Sequence, residues 1–152
     1  MIKIMFVCHG NICRSPMAEF IMKDLVRRAG REREFLIASS ATSTEEIWNG
    51  IGNPVYPPAV RELARHGLSC EGKKAVQIKK RDYAEWDYII CMDSKNLRNL
   101  QALFGKDPDG KIKKLMSYTE SSADVSDPWY TGDFEGVYND ILLGCKALLE
   151  KI

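Results

Sequence analysis

Apolar residues in this chain form short continuous runs that alternate with longer stripes at helical spacing. Residues 2–7 and 35–38 have the length and apolar character of buried strands, and residues 86–92 contain the clearest later strand. Residues 75–78 and 112–116 are weaker strand candidates. Runs of this kind, with little polar alternation, predict strands that are covered on both faces of a sheet.

Helical stripes follow most of these runs. After the first run, apolar side chains recur every three or four residues until Gly30, which predicts a helix that stops there. Similar stripes predict helices at residues 60–66, at residues 94–105 with Ser94 as the N-cap, and at residues 134–149.

Two polar, irregular stretches, residues 39–58 and 118–133, are predicted to be long surface loops, which often carry function. Strands alternating with helices predict an α/β fold in a single domain, residues 1–152. We expect three layers: a central, mostly parallel, four-stranded twisted sheet with helices on both faces. In such sheets ligands bind beyond the carboxyl ends of the strands.

Composition narrows the class of protein. With 45% hydrophobic residues, 28% charged residues and a net charge of +1, the chain resembles an ordinary globular domain, so we expect no nucleic-acid partner and no membrane partner. It shows no secretory signal and no apolar run of membrane-spanning length. The five cysteines lack the paired spacing of a structural zinc site, so we expect no metal and a cytoplasmic location.

The candidate chemistry lies between the first strand and the first helix, at residues 7–16. This junction directs unpaired backbone N–H groups and a helix dipole at one point, which favours an anion there. Gly10 allows the backbone to turn toward that point, and Pro16 suits the first turn of a helix. The loop has no Gly-Lys-Ser/Thr ending, so it is not a Walker loop.

Two side chains define the chemistry of this loop. Cys8 would lie at a helix N-terminus beside an arginine, where a thiol ionises more readily than a free one, and is a candidate thiolate nucleophile. Arg14 offers two parallel N–H donors that match two oxygens of a phosphate. Together they indicate a site that attacks a phosphate ester.

The sequence Val-Cys-His-Gly-Asn-Ile-Cys-Arg-Ser-Pro, residues 7–16, resembles that of the low-molecular-weight protein tyrosine phosphatases. The resemblance implies metal-independent hydrolysis of phosphotyrosine in proteins, and of small aryl phosphates, through a cysteinyl-phosphate intermediate, with no cofactor. It implies that phosphate or a similar oxyanion is bound by the loop. The residues implied to bind it are His9, Gly10, Asn11, Ile12, Cys13, Arg14 and Ser15.

A general acid is needed to protonate the leaving oxygen, because a thiolate cannot do so. Asp127 precedes Pro128, and by composition alone such a pair more often starts a turn. The family resemblance instead implies that Asp127 is the general acid and later the base.

Further roles follow from the same resemblance. Trp129 and Tyr130 would form a wall for the phosphotyrosine ring, and Trp48 is either a third wall residue or an anchor for its own loop. Separately from the resemblance, Cys13 lies in the same loop as Cys8, so we expect the two thiols to form a reversible disulfide on oxidation. Many relatives carry a histidine near Lys73 that supports the loop asparagine, so a different support is expected here.

Two alternatives remain open at this stage. An arsenate reductase on the same scaffold would also use a Cys-x5-Arg loop, but it needs paired thiols in the later half, and Cys91 has no such neighbour. A non-catalytic phosphate-binding module could dispense with Cys8 or with Asp127, yet both residues are present.

Overall fold

The computed structural model describes residues 1–152, with six strands and six α-helices. The strands are β1 (Ile2–Cys8), β2 (Phe35–Ala41), β3 (Ile47–Trp48), β4 (Ile51–Gly52), β5 (Tyr88–Cys91) and β6 (Ile112–Lys114). The α-helices are α1 (Arg14–Arg28), α2 (Pro57–Arg65), α3 (Asp82–Glu85), α4 (Ser94–Phe104), α5 (Pro128–Thr131) and α6 (Phe134–Glu150). Short 3₁₀ helices lie at Glu32–Glu34 and Leu115–Tyr118.

Four strands form the central sheet, in the order β2-β1-β5-β6. All three pairings are parallel, which confirms the predicted sheet. Because parallel strands end at one edge, the segments after β1, β2 and β5 emerge side by side. The amide N–H of Thr42, after β2, donates to the carbonyl of Cys8 at the end of β1, over 2.9 Å.

Strand β1 shows why the sheet is covered on both faces. Its residues alternate sides, so Ile4 and Phe6 pack into a core shared with α1, α2 and α6, whereas Met5 and Val7 pack into a second core with Leu100 of α4. All four of these β1 side chains are buried. The predicted three-layer α/β architecture is therefore confirmed.

The first predicted loop contains more structure than the sequence analysis assigned to it. Strand β2 continues to Ala41, and β3 and β4 pair antiparallel through the two-residue turn Asn49-Gly50. Both turn residues have positive φ, 50° and 75°, which a tight hairpin of this length requires. Asn-Gly is a strong hairpin signal that the prediction of a loop overlooked.

Two other details differ from the predictions. Residues 75–78 form only an isolated bridge between Gln77 and Ala41, not a strand. The N-cap of α4 is Asp93 and not Ser94: its carboxylate accepts the N–H of Asn96 over 2.7 Å, and the Asn96 side chain caps in return. Aspartate and serine are equally good N-cap residues, so the sequence did not distinguish them, and the observed N-cap lies one residue before the predicted one.

The second predicted loop is also partly ordered into helix. Its last part contains the single-turn helix α5, which begins at Pro128 directly after Asp127. Proline suits this first helical position because its missing N–H would have no partner there. No helix in the structure is both long and apolar enough to cross a membrane.

Candidate active site

The loop between β1 and α1 curves around the Cys8 sulfur. The backbone N–H of Asn11 points at this sulfur, with an N–S distance of 3.3 Å, and the hydroxyl oxygen of Ser15 lies 3.0 Å from it. Asn11 enables the curve because it adopts the left-handed conformation, with φ of 61°, which asparagine tolerates. The sulfur therefore lies at the N-terminal end of α1, where the helix dipole favours negative charge.

Arg14 is held rigidly beneath this loop. Its side chain is only 3% exposed, and one guanidinium nitrogen, Nη1, donates to the Asp93 carboxylate over 2.7 Å and to the carbonyl of Val125 over 2.9 Å. Burial alone would lower the pKa of this guanidinium, but the Cys8 sulfur and the Asp93 carboxylate outweigh it and raise the pKa. Arg14 therefore supplies a fixed positive charge beside the sulfur.

The other guanidinium donors of Arg14 remain available. Neither Nε nor Nη2 has a protein acceptor within hydrogen-bond distance; the nearest carboxylate to Nη2 belongs to Asp127, 3.6 Å away. Two free parallel donors match two oxygens of a phosphate group.

Asp127 is positioned by the helix it precedes. One of its carboxylate oxygens accepts the N–H of Trp129 over 3.0 Å, which makes Asp127 the N-cap of α5. The other oxygen is the one that faces Arg14. Both interactions hold the carboxylate toward the phosphate-binding loop. From the sequence, only the family resemblance indicated this position for Asp127.

These groups open onto one cavity of about 160 Å³. It brings together most of the predicted site residues. Its lining consists of Cys8, His9, Gly10, Ile12, Cys13, Arg14, Glu45, Glu46, Asp127, Trp129 and Tyr130.

Two carboxylates in this lining, Glu45 and Glu46, were missed by the sequence analysis. Both directly precede β3. Glu46 packs across the loop at Gly10, where its Cγ would lie 3.2 Å from the Cβ of any other residue at that position. Its carboxylate accepts the side-chain N–H of Asn53 over 2.9 Å. Glu45 contacts the His9 ring at 2.9 Å. The Asn49-Gly50 signal predicts the hairpin, but it does not show that the segment before the hairpin crosses the loop at Gly10.

The predicted aromatic wall is only partly present. Trp129 and Tyr130 line the cavity, and the Trp129 ring packs against Tyr56 with ring centroids 4.8 Å apart. Trp48 is not part of the lining: it lies on the β3–β4 hairpin with 78% of its surface exposed. Its predicted place in the wall is thus corrected, because the tight hairpin turn holds this side chain away from the cavity.

The family described as "Low molecular weight phosphotyrosine protein phosphatase" matches residues 3–152 of this chain. The chain belongs to this family. It is 43% identical to the low molecular weight protein-tyrosine-phosphatase YfkJ of Bacillus subtilis, over 100% of this chain and 96% of that protein. It is 42% identical to the low molecular weight phosphotyrosine protein phosphatase of Sus scrofa, over 98% of this chain and 94% of that protein.

Solved structures agree with this membership. The crystal structure of YfkJ superposes with a TM-score of 0.93, covering 100% of this chain and 94% of that chain. DARP, a drosophila arginine phosphatase, superposes with a TM-score of 0.85 at 31% identity, covering 99% of this chain and 97% of that chain. The fold is therefore shared by phosphatases whose names specify different phosphorylated residues.

In this family member, Asn11 is supported by a buried hydrogen-bond chain. Its side-chain N–H groups donate to Ser15 over 2.8 Å and to Ser39 over 3.0 Å, and its side-chain oxygen accepts the N–H of Val76 over 3.1 Å. The Ser39 hydroxyl donates in turn to the Glu19 carboxylate over 2.6 Å. Because Asn11 donates to the Ser15 oxygen, the hydroxyl proton points elsewhere, and its acceptors within reach are the Cys8 sulfur at 3.0 Å and the Ser40 carbonyl at 3.4 Å.

Lys73 lies where many relatives are expected to carry the histidine that supports the loop asparagine. Its ammonium donates to the Ser39 carbonyl over 2.9 Å and lies 3.7 Å from the Glu19 carboxylate. Burial lowers the pKa of this amine, and the Glu19 charge opposes that effect. The lysine therefore contacts Ser39 and Glu19 and does not contact Asn11 directly. The side-chain oxygen of Asn11 instead accepts a hydrogen bond from the backbone N–H of Val76.

The cysteines fall into two groups. All five are free and buried. Cys8 and Cys13 line the same cavity, whereas Cys70, Cys91 and Cys145 lie outside it in the two hydrophobic cores. Burial, with smaller contributions from Cys8 and Asp127, raises the pKa of Cys13 to about 12, so Cys13 is a protonated thiol at neutral pH.

Proposed function

We propose that this chain is a protein tyrosine phosphatase in which Cys8, Arg14 and Asp127 perform the reaction. One observation carries the proposal: a sulfur at a helix N-terminus, the free donors of a buried arginine and a carboxylate face one small cavity. Nucleophile, oxyanion binding and proton donor are the three functions that a metal-independent phosphomonoester hydrolase requires.

In the first step the Cys8 thiolate attacks phosphorus and the bond to the aryl oxygen breaks. Asp127 gives its proton to that departing oxygen, so a neutral phenol leaves and a cysteinyl phosphate remains. The nonbridging oxygens are bound by loop N–H groups and by Nε and Nη2 of Arg14, where charge builds up in the transition state.

In the second step water attacks the phosphorus of the cysteinyl phosphate. The Asp127 carboxylate takes a proton from that water, the sulfur–phosphorus bond breaks, and inorganic phosphate leaves. The sulfur departs as a thiolate, which the Ser15 hydroxyl at 3.0 Å stabilises by donating a hydrogen bond to it. The hydrogen-bond chain through Asn11, Ser39 and Glu19 supports this direction of donation.

The proposed substrate class follows from the aromatic side of the cavity. Trp129 is braced by Tyr56, so an indole face is available beside the phosphate-binding loop at little cost in side-chain freedom. A phosphotyrosine ring can stack there, whereas the short side chain of phosphoserine would leave this surface uncovered.

We expect purified protein to hydrolyse phosphotyrosine peptides at least about 30-fold more efficiently, in kcat/KM, than phosphoserine peptides of the same sequence, because about 2 kcal/mol of aromatic contact and apolar burial is lost with serine. Release of inorganic phosphate measures this. A phosphoarginine peptide is the third substrate, since DARP shares the fold. Preference for phosphoserine or phosphoarginine would refute the proposed substrate class, and absence of all hydrolysis would refute the enzyme.

The two alternatives receive no support from the site. Arsenate reduction would need accessible thiols to relay a disulfide, but Cys70, Cys91 and Cys145 are all buried, and burial raises the pKa of Cys91 to about 12. A binding module would not need a carboxylate held against the arginine. We also propose a cytoplasmic location, for which five free cysteines are the supporting observation.

We further propose that Cys13 protects Cys8 from irreversible oxidation. Peroxide converts the Cys8 thiolate to a sulfenic acid; the Cys13 sulfur then attacks the Cys8 sulfur, a disulfide forms, and water leaves with the Cys13 proton. Both thiols line the same cavity, which supports this pairing.

After treatment with hydrogen peroxide and then excess dithiothreitol, most activity should return in the parent protein and little in a Cys13→Ser variant. The Cys70→Ser variant, which removes a buried thiol outside the cavity, is the matched control and should recover like the parent. Equal recovery in parent and Cys13→Ser proteins would contradict the protective role.

A further inference from the structure

A second, polar groove opens beside the catalytic cavity, with a volume of about 590 Å³. Asp127 and Tyr130 line both spaces, so the groove begins where the cavity ends. Its remaining walls come from the first turns of α4, from the segment before Asp127 and from the end of α5. They are Asp93, Ser94, Lys95, Arg98, Asp124, Val125, Ser126 and Thr131.

The carboxylates in this groove already have positively charged neighbours. Asp93 is paired with Arg14 at 2.7 Å, and Asp127 lies 3.6 Å from the same guanidinium. Asp124 is paired with Lys114 at 2.9 Å and also accepts the N–H and hydroxyl of Ser94. Asp93 and Asp124 are therefore each paired with a cation, whereas Asp127 shares the Arg14 charge with Asp93 and the Cys8 sulfur.

The cations in the groove are not compensated. Lys95 and Arg98 are exposed, lie three residues apart on α4, and form no ion pair and no side-chain hydrogen bond. Side chains at this spacing share one face of a helix. These two residues are therefore the cations that the groove presents without a paired carboxylate, and both lie on its α4 wall.

The wall of the catalytic cavity near Gly10 has the opposite charge. There Glu45 and Glu46 line the wall, and Glu46 has only the neutral Asn53 amide as a side-chain partner. A phosphorylated segment bound with its phosphate at Cys8 thus meets carboxylates on one side and cations on the other. Like charges repel an acidic flank from the first side and direct it to the second.

We propose that this groove, which we call the α4 groove, binds an acidic side chain that neighbours the phosphotyrosine of the substrate. The proposal rests on the proposed phosphatase function and specifies its substrates: phosphotyrosine segments with Asp or Glu next to the phosphorylated residue. Because the α4 groove shares Asp127 and Tyr130 with the cavity, an adjacent residue reaches it without a long spacer, since each extended residue adds about 3.3–3.6 Å.

The test is a double variant, Lys95→Met with Arg98→Met, assayed on two phosphotyrosine peptides that differ only in acidic or neutral flanking residues. We expect kcat/KM for the acidic peptide to fall about threefold to tenfold, and that for the neutral peptide to change less than twofold. The parent's preference for the acidic peptide should also weaken in about 0.5 M salt, because exposed charges are screened.

The matched control is the double variant Arg33→Met with Lys146→Met, which removes two exposed cations away from the groove and changes the net charge equally. A similar loss of acidic-peptide activity in this control would assign the preference to overall charge and overturn the proposal, as would a parent without acidic preference. Activity on para-nitrophenyl phosphate separates the two hypotheses: if it is absent, the phosphatase function fails; if it persists without a flank preference, only the α4 groove fails.

Discussion

Replacing Cys8 with serine is expected to lower kcat for aryl phosphates by at least about 10⁴-fold, the scale seen when a covalent nucleophile is removed from a hydrolase. The serine hydroxyl stays protonated at neutral pH, and none of the groups in contact with this position is a base that would take its proton. The neighbours of the Cys8 sulfur are donors: the Asn11 N–H, the Ser15 hydroxyl and the Arg14 guanidinium. A site built to stabilise a thiolate cannot activate an alcohol.

The same substitution should leave oxyanion binding largely intact. Serine differs from cysteine by one atom, and the donors that bind phosphate belong to the loop backbone and to Arg14. Inorganic phosphate should therefore raise the melting temperature of the Cys8→Ser protein and of the parent by similar amounts. Rapid quenching with a ³²P-labelled aryl phosphate should trap a labelled protein in the parent only. Sustained turnover by the serine variant would refute covalent catalysis by Cys8.

The phosphate-binding loop could be predicted because its parts are contiguous. Cys8, Asn11 and Arg14 lie within seven residues, and a strand followed by a helix suffices to direct them at one point. The sheet was predictable for a related reason: both faces are buried, so its strands appear as apolar runs. In such cases local sequence pattern and tertiary environment agree.

The rest of the site depends on contacts between distant segments. Glu45 and Glu46 enter the cavity only because the Asn49-Gly50 turn closes a small hairpin and Gly10 leaves room for a side chain to cross the loop. The same hairpin removes Trp48 from the predicted wall. An aromatic residue in a polar loop does not reveal which way its strand faces, since one position of register exchanges the two sides.

Support for Asn11 shows a second kind of limit. The absence of a histidine near Lys73 indicated that other residues support Asn11. No local sequence pattern, however, connects Glu19 on α1, Ser39 on β2 and Lys73 in a loop. These residues meet because β1 and β2 pair in parallel and α1 packs over them. The charge and burial of Glu19 have meaning only within that packing, where an unpaired carboxylate would be costly.

Removing the Asp127 carboxylate is expected to slow hydrolysis of phosphotyrosine by about 10²–10⁴-fold, the usual worth of a positioned proton donor. The loss should be much smaller for para-nitrophenyl phosphate, because its leaving group is a weaker base and needs less protonation as the bond breaks. Measuring kcat across a series of aryl phosphates in an Asp127→Ala variant tests this.

Asp127 has a second role that this experiment must separate from proton transfer, since its carboxylate caps α5 by accepting the Trp129 N–H. Asp127→Asn retains an oxygen for that cap while removing the acid, so it should show the same leaving-group dependence as the alanine variant. Asp133→Ala removes the corresponding cap of α6, made to the Gly136 N–H over 2.9 Å, without touching the cavity, and should retain most activity. If Asp127→Asn instead retained activity, or if all leaving groups slowed equally, Asp127 would hold the α5 segment in place and the proton would come from another source.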